Sequence, residues 1–113
     1  MAPVKGHTTK EIVAIYTTIA PLLVAMFNEF KELSKKKPDG AVSKNKIKIV
    51  NRLLVKCKEV LMDEKVIDYL DIIDEDTVPQ NSDIVLTLSQ YNAAMKQYFS
   101  SHTNSITREW LIK

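Results

Sequence analysis

Ten basic side chains crowd into residues 31–58: Lys31, Lys35, Lys36, Lys37, Lys44, Lys46, Lys48, Arg52, Lys56 and Lys58, against Glu32 and Asp39 alone. The chemistry such a run offers is phosphate binding, because cations that neutralise a polyanion release its condensed counterions. Lys35, Lys36, Lys37, Lys44, Lys48, Arg52 and Lys56 are the candidate residues for contact with nucleic acid or a protein partner. Lys44, Lys48, Arg52 and Lys56 recur every fourth residue. On a helix they form one ridge of mildly repelling charges, which a polyanion would relieve. Arg52 and Arg108 are the only arginines, and no aromatic interleaves with the lysines. Bidentate base reading and base stacking both lack their residues, so nucleic-acid binding here would be weak and sequence-independent.

Residues 59–83 reverse the sign, with Glu59, Asp63, Glu64, Asp68, Asp71, Asp74, Glu75, Asp76 and Asp83 against Lys65 alone. The formal net charge of +2 therefore conceals a dipolar chain. Were both halves on one helix, cations would lead and anions follow. That order opposes the macrodipole at a cost of about 0.3–1 kcal/mol per exposed end charge. The acids suggest two chemistries. Calcium binding through Asp74, Glu75 and Asp76 fails on spacing: counted from Asp74, an EF-hand loop would need glycine at Pro79 and glutamate at Val85. Self-association fits better. In a two-fold dimer the basic ridge of one subunit could face Asp68, Asp71 and Asp74 of the other, and Trp110 and Leu111 add a candidate apolar anchor.

Catalytic constellations find little support. Cys57 lies on an apolar stripe, and its lysine neighbours in sequence point about 100° away from it on a helix, so an inert buried thiol is expected. His7, Cys57 and His102 are too scattered for a transition-metal site. Gly6 and Gly40 are the only glycines, which leaves no phosphate-cradling loop. No cofactor is expected, and the chain reads as a non-enzyme.

The elements that must position these residues are helical. Two glycines and four prolines in 113 residues argue against an all-β fold, and the length suits one domain over 1–113. Residues 1–7 read as a leader and 104–113 as a tail, both loosely ordered. Thr8 and Glu11 have capping-box spacing for a first helix reaching about Lys35. Its apolar positions run from Ile12 through Ile19, Leu23, Phe27 and Phe30 to Leu33 and cover an arc of about 200°, wider than a surface helix requires. Residues 12–28 are uncharged. Thr17, Thr18 and Pro21 shorten the apolar run below a membrane span, and Glu11 with no cleavage site after Met26 argues against a signal peptide. Pro21 predicts a kink.

Pro38, Asp39 and Gly40 predict a turn with a left-handed glycine. Ser43 is expected to cap a second helix with the buried stripe Ile47, Val50, Leu54, Cys57 and Leu61. Residues 64–73 read either as its continuation or as a separate helix with Val66, Ile67, Leu70 and Ile73 inward. Asn81 or Ser82 is expected to cap a last long helix with the stripe Ile84, Leu88, Tyr91, Met95 and Tyr98. Residues 106–113 could add a short helix. The expectation is an all-α, antiparallel up-down bundle of three to four helices with a long Pro-kinked first helix. One cysteine fits a reducing compartment, so a cytoplasmic site is expected. The expected role is protein–protein interaction or assembly, most simply homo-oligomeric, with nucleic acid as the alternative and no membrane.

Overall fold

A computed structural model describes residues 6–112, so most of the expected leader lies outside it. Among the described residues the chain forms three α-helices: α1 over Lys10–Lys36, α2 over Lys44–Val60 and α3 over Asn81–His102. The 27 residues of α1 account for the long axis of the 43 × 27 × 24 Å molecule at about 1.5 Å per residue. Helix α1 packs on both α2 and α3, which touch each other little. Its start lies beside the end of α3, where Thr8 meets Tyr98, and its end beside the start of α3, where the Lys37 carbonyl accepts from Asn81 Nδ2 at 2.9 Å. It also runs antiparallel to α2: the earlier stretch from Ile19 to Glu29 shares a groove with Ile49, Arg52, Leu53 and Lys56, and the later stretch up to Lys36 shares one with Lys46, Ile49 and Val50. Helices α2 and α3 are therefore parallel.

That geometry requires a return leg, and residues 61–80 supply it. No α-helix forms there, whether separate or continuous with α2. The leg is an irregular strap with two short 3-10 turns, Lys65–Tyr69 and Glu75–Thr77. The physical reason lies in composition: Val66, Ile67, Ile72 and Ile73 are β-branched, and Asp68, Asp71 and Asp74 compete for backbone amides, so helix propensity is low throughout. Side chains from the neighbouring helices hold the strap. Asn51 donates to the Ile73 carbonyl at 2.8 Å and accepts from its amide at 2.9 Å. Lys58 donates to the Leu70 carbonyl, and the Tyr91 hydroxyl to the Asp71 carbonyl, both at 2.9 Å.

The buried stripes of α2 and α3 are the expected ones: Ile47, Val50, Leu54, Cys57, Leu61 and Ile84, Leu88, Tyr91, Met95, Tyr98. Of α1, only Leu23 and Phe30 are fully buried. The helix continues through Pro21, and the Thr17 and Thr18 hydroxyls both donate to the Ala14 carbonyl.

Several local expectations need correction. The α1 cap is Thr9, which accepts from the Ile12 amide; Thr8 is buried in a contact with Tyr98. The α3 cap is Gln80, whose amide donates to the Asp83 carboxylate at 2.8 Å, while the Gly40 and Pro38 carbonyls accept from the Asn81 and Ser82 amides. Gly40 does not have positive φ. It is glycine for space: a Cβ there would fall 2.8 Å from Asn81 Nδ2. Residues 104–112 form no helix. Asn104 Oδ1 accepts from the Ile106 and Thr107 amides, Arg108 takes φ +64°, and the chain doubles back so that Trp110 bridges to Thr103.

Candidate functional site

The expected basic ridge is split by helical geometry. Residues four apart advance about 40° around a helix, so four of them sweep about 120°. Lys44 at one end faces the strap and pairs with Asp76 at 3.7 Å; Arg52 and Lys56 at the other border α1. Lys35 pairs with Glu32 at 3.1 Å and Lys56 with Glu59 at 3.4 Å. All these pairs are exposed and individually worth little. Lys36, Lys37, Lys48 and Arg52 are exposed, and none of the ion pairs among the described residues includes them.

The acidic stretch lies alongside α2 within the same chain. Asp68, Asp71 and Asp74 are exposed on the strap. Asp74 accepts from the Asp76 amide, which turns its carboxylate to local backbone work. Among the described residues, His, Cys, Asp and Glu do not gather in threes with metal-binding geometry. Trp110 packs edge-on against Tyr16 and Phe99, with ring centres 4.9 and 5.2 Å apart. Leu111 bonds through its backbone to Thr8 and His102. Both anchor residues thus cap their own bundle.

A polar knot sits beneath that cap, and nothing in the sequence pattern marked it. The Thr8 and Tyr98 hydroxyls lie 2.6 Å apart. His102 reaches the Gly6 carbonyl at 2.8 Å and Glu64 at 3.3 Å, with its ring against Tyr98. Burial raises the Tyr98 pKa, against a lowering by the Thr8 hydrogen bond. These groups spend their hydrogen bonds on one another, tying the lead into α1, the end of α3 and the strap together. The partners lie up to 96 residues apart, a separation that periodicity does not reach. Cys57 is fully buried, and burial pushes its thiol up to about 12, so it stays protonated and unreactive near neutral pH.

An uncovered apolar groove lies between α1 and α2. Leu22 is 53%, Leu33 39% and Ile49 50% exposed, and Met26 and Leu53 continue the floor between them. Glu29 and Glu32 edge this groove on the α1 side; Lys46, Arg52 and Lys56 edge it on the α2 side. Lys36 closes the end formed by the last turn of α1. An 18-residue window of α1 has mean hydropathy 1.6, and only 11% of it is buried. By length and composition this helix is sufficient to cross a membrane; in the structure it lies against α2 and α3. Lys46 was not among the candidate residues, because only its position beside α1 brings it to the groove. Comparison with family models, curated proteins and solved structures finds no match.

Proposed function

We propose that this protein is a small non-catalytic interaction module that assembles with itself in a reducing, cytoplasmic setting. The observation that supports the reading is the apolar groove between α1 and α2, whose floor side chains Leu22, Leu33 and Ile49 stand 39–53% exposed. Contiguous apolar surface rimmed by charge is the usual mark of a protein contact. A protein fits it better than lipid, because Glu29 and Glu32 would have to be carried into an apolar medium at several kcal/mol. Pro21 belongs to the same reading: it withholds an amide from the Thr17 carbonyl, and a bend there sets the angle at which the exposed half of α1 meets a partner.

Light scattering coupled to size exclusion tests this. The expected result is a dimer or larger species, reduced to monomer by Leu22→Asp with Ile49→Asp at unchanged helix content. A wild-type monomer at high micromolar concentration overturns it.

A second reading draws on Lys36, Lys37, Lys48 and Arg52, four exposed cations outside the ion pairs described. Sequence-independent binding of nucleic acid by four such contacts would weaken with salt at a log–log slope of about −3.6 for duplex DNA. Lys48→Glu with Arg52→Glu would abolish it, and no binding to long DNA or RNA in dilute buffer removes the reading.

A further inference from the structure

The geometry points to a second copy of this chain as the occupant of the α1–α2 groove, with the α1 of each copy lying over the α2 of the other about a two-fold axis parallel to the helices. The inference rests on the self-assembly reading above and adds the face, the axis and the pairing of its rims.

Charge sign along the two edges selects the orientation. The groove is edged on its α1 side by the acids Glu29 and Glu32, with Lys36 only at its far end, and on its α2 side by the bases Lys46, Arg52 and Lys56. A face with one acidic and one basic edge is complementary to itself, but only in some orientations. Two copies meeting face to face relate by an axis lying in the interface. With the axis perpendicular to the helices, α1 would cross α1 and α2 would cross α2, setting carboxylate against carboxylate and ammonium against ammonium. With the axis parallel to the helices, α1 of the partner lies over α2 at the same height along the bundle. That height matters, because within a single chain Glu29 lines the groove together with Lys46 on one stretch and with Arg52 on the next. The two-fold operation keeps the level and crosses the groove, so Glu29 and Glu32 of each copy meet the partner's basic edge.

The apolar floor agrees with this axis. Leu22 and Leu33 of one copy then rest on Ile49 and Leu53 of the other, and α1 remains antiparallel to the α2 it covers, as it is within one chain. The result is a four-helix layer assembled from two pairs. Area sets the strength. The face is about 26 Å long, from the 17 residues of α2, and about 20 Å wide, the breadth of two helices. Its footprint of about 500 Å² per chain is below the roughly 800 Å² of a standard interface, which makes this a weak, reversible dimer rather than an obligate one.

Sedimentation velocity of the full chain from low to high micromolar concentration supplies the test. Wild type is expected to dimerise across that range. Glu29→Lys with Glu32→Lys makes both edges basic, and Lys46→Glu with Arg52→Glu makes both acidic; each double variant should weaken dimerisation by about tenfold or more. The chain carrying all four changes restores opposite edges and should dimerise as wild type does, while failing to mix with wild type. All four positions are exposed, so helix content and melting serve as controls for folding. If wild type dimerises but both double variants match it, assembly uses another face: this inference falls and the self-assembly reading stands. If the fourfold variant stays monomeric, the rim pairing is overturned. If wild type is monomeric throughout, both readings fall together.

Discussion

Asn51 does for the strap what a neighbouring strand does in a sheet, offering one donor and one acceptor to the backbone of a single residue, Ile73. Asn51→Ala would strand both groups in a half-buried place, and denaturant unfolding should show a loss of about 1–3 kcal/mol. Asn51→Asp keeps the acceptor but sets a carboxylate oxygen against the Ile73 carbonyl, and should recover little. Cys57 carries a different prediction. Its folded thiol titrates only at about 12, against an ordinary value near 9. The folded state therefore holds its proton while the unfolded state releases it. The associated stability is intact below about pH 9 and is lost as pH rises towards 12, at about 1.4 kcal/mol per unit for one group. Unfolding free energies between those limits check the slope, and Cys57→Ala should remove its share. Tyr91, whose pKa is raised by burial and by the Cys57 and Asp71 charges nearby, adds a further alkaline loss. Val78 holds φ +52° immediately before Pro79, a costly conformation for a β-branched residue, so Val78→Asn should raise stability by roughly 1 kcal/mol, read as a higher melting temperature.

At the scale of elements, the docking of the α1–α2 connector onto α3 decides how the bundle closes. The Gly40 and Pro38 carbonyls accept from the first amides of α3, and the Val42 amide returns a bond to Pro79. Gly40→Ala would push Asn81 off the Lys37 carbonyl, and thermal unfolding should report a loss of about 1 kcal/mol or more. The elements that were legible in the sequence are those with one buried face. The stripes of α2 and α3 could be read residue by residue, because burial on one side leaves a 3.6-residue period. The strap could not. Val66, Ile67, Leu70 and Ile73 do turn inward, so the apolar pattern was real, but packing between two helices imposes inward residues without imposing a helix. The caps shifted by one residue because Thr8 is spent on Tyr98, a contact that local spacing cannot reveal.

At the scale of the molecule, the separation of charge along the chain turns out to be a pairing in space, since the acidic strap lies back along the basic helix and Lys44 reaches Asp76. Of the expected site residues, the lysines and Arg52 are exposed, but their grouping was not legible: the ridge divides between the strap side and the groove side. The groove itself was foreshadowed only by the width of the apolar arc on α1. High salt should therefore act on the charged rims more than on the bundle. We expect the monomer's melting temperature to change little between low and high salt while the monomer–dimer equilibrium shifts, a contrast that calorimetry and sedimentation together would resolve. The strap also has a consequence in time. A helix frays gradually from its ends, but a leg held by Asn51, Lys58 and Tyr91 is released when those few side chains let go. Deuterium should enter residues 62–80 in one early, cooperative wave, well before it penetrates the middle of α2 or α3, with the Ile73 amide marking the moment of release.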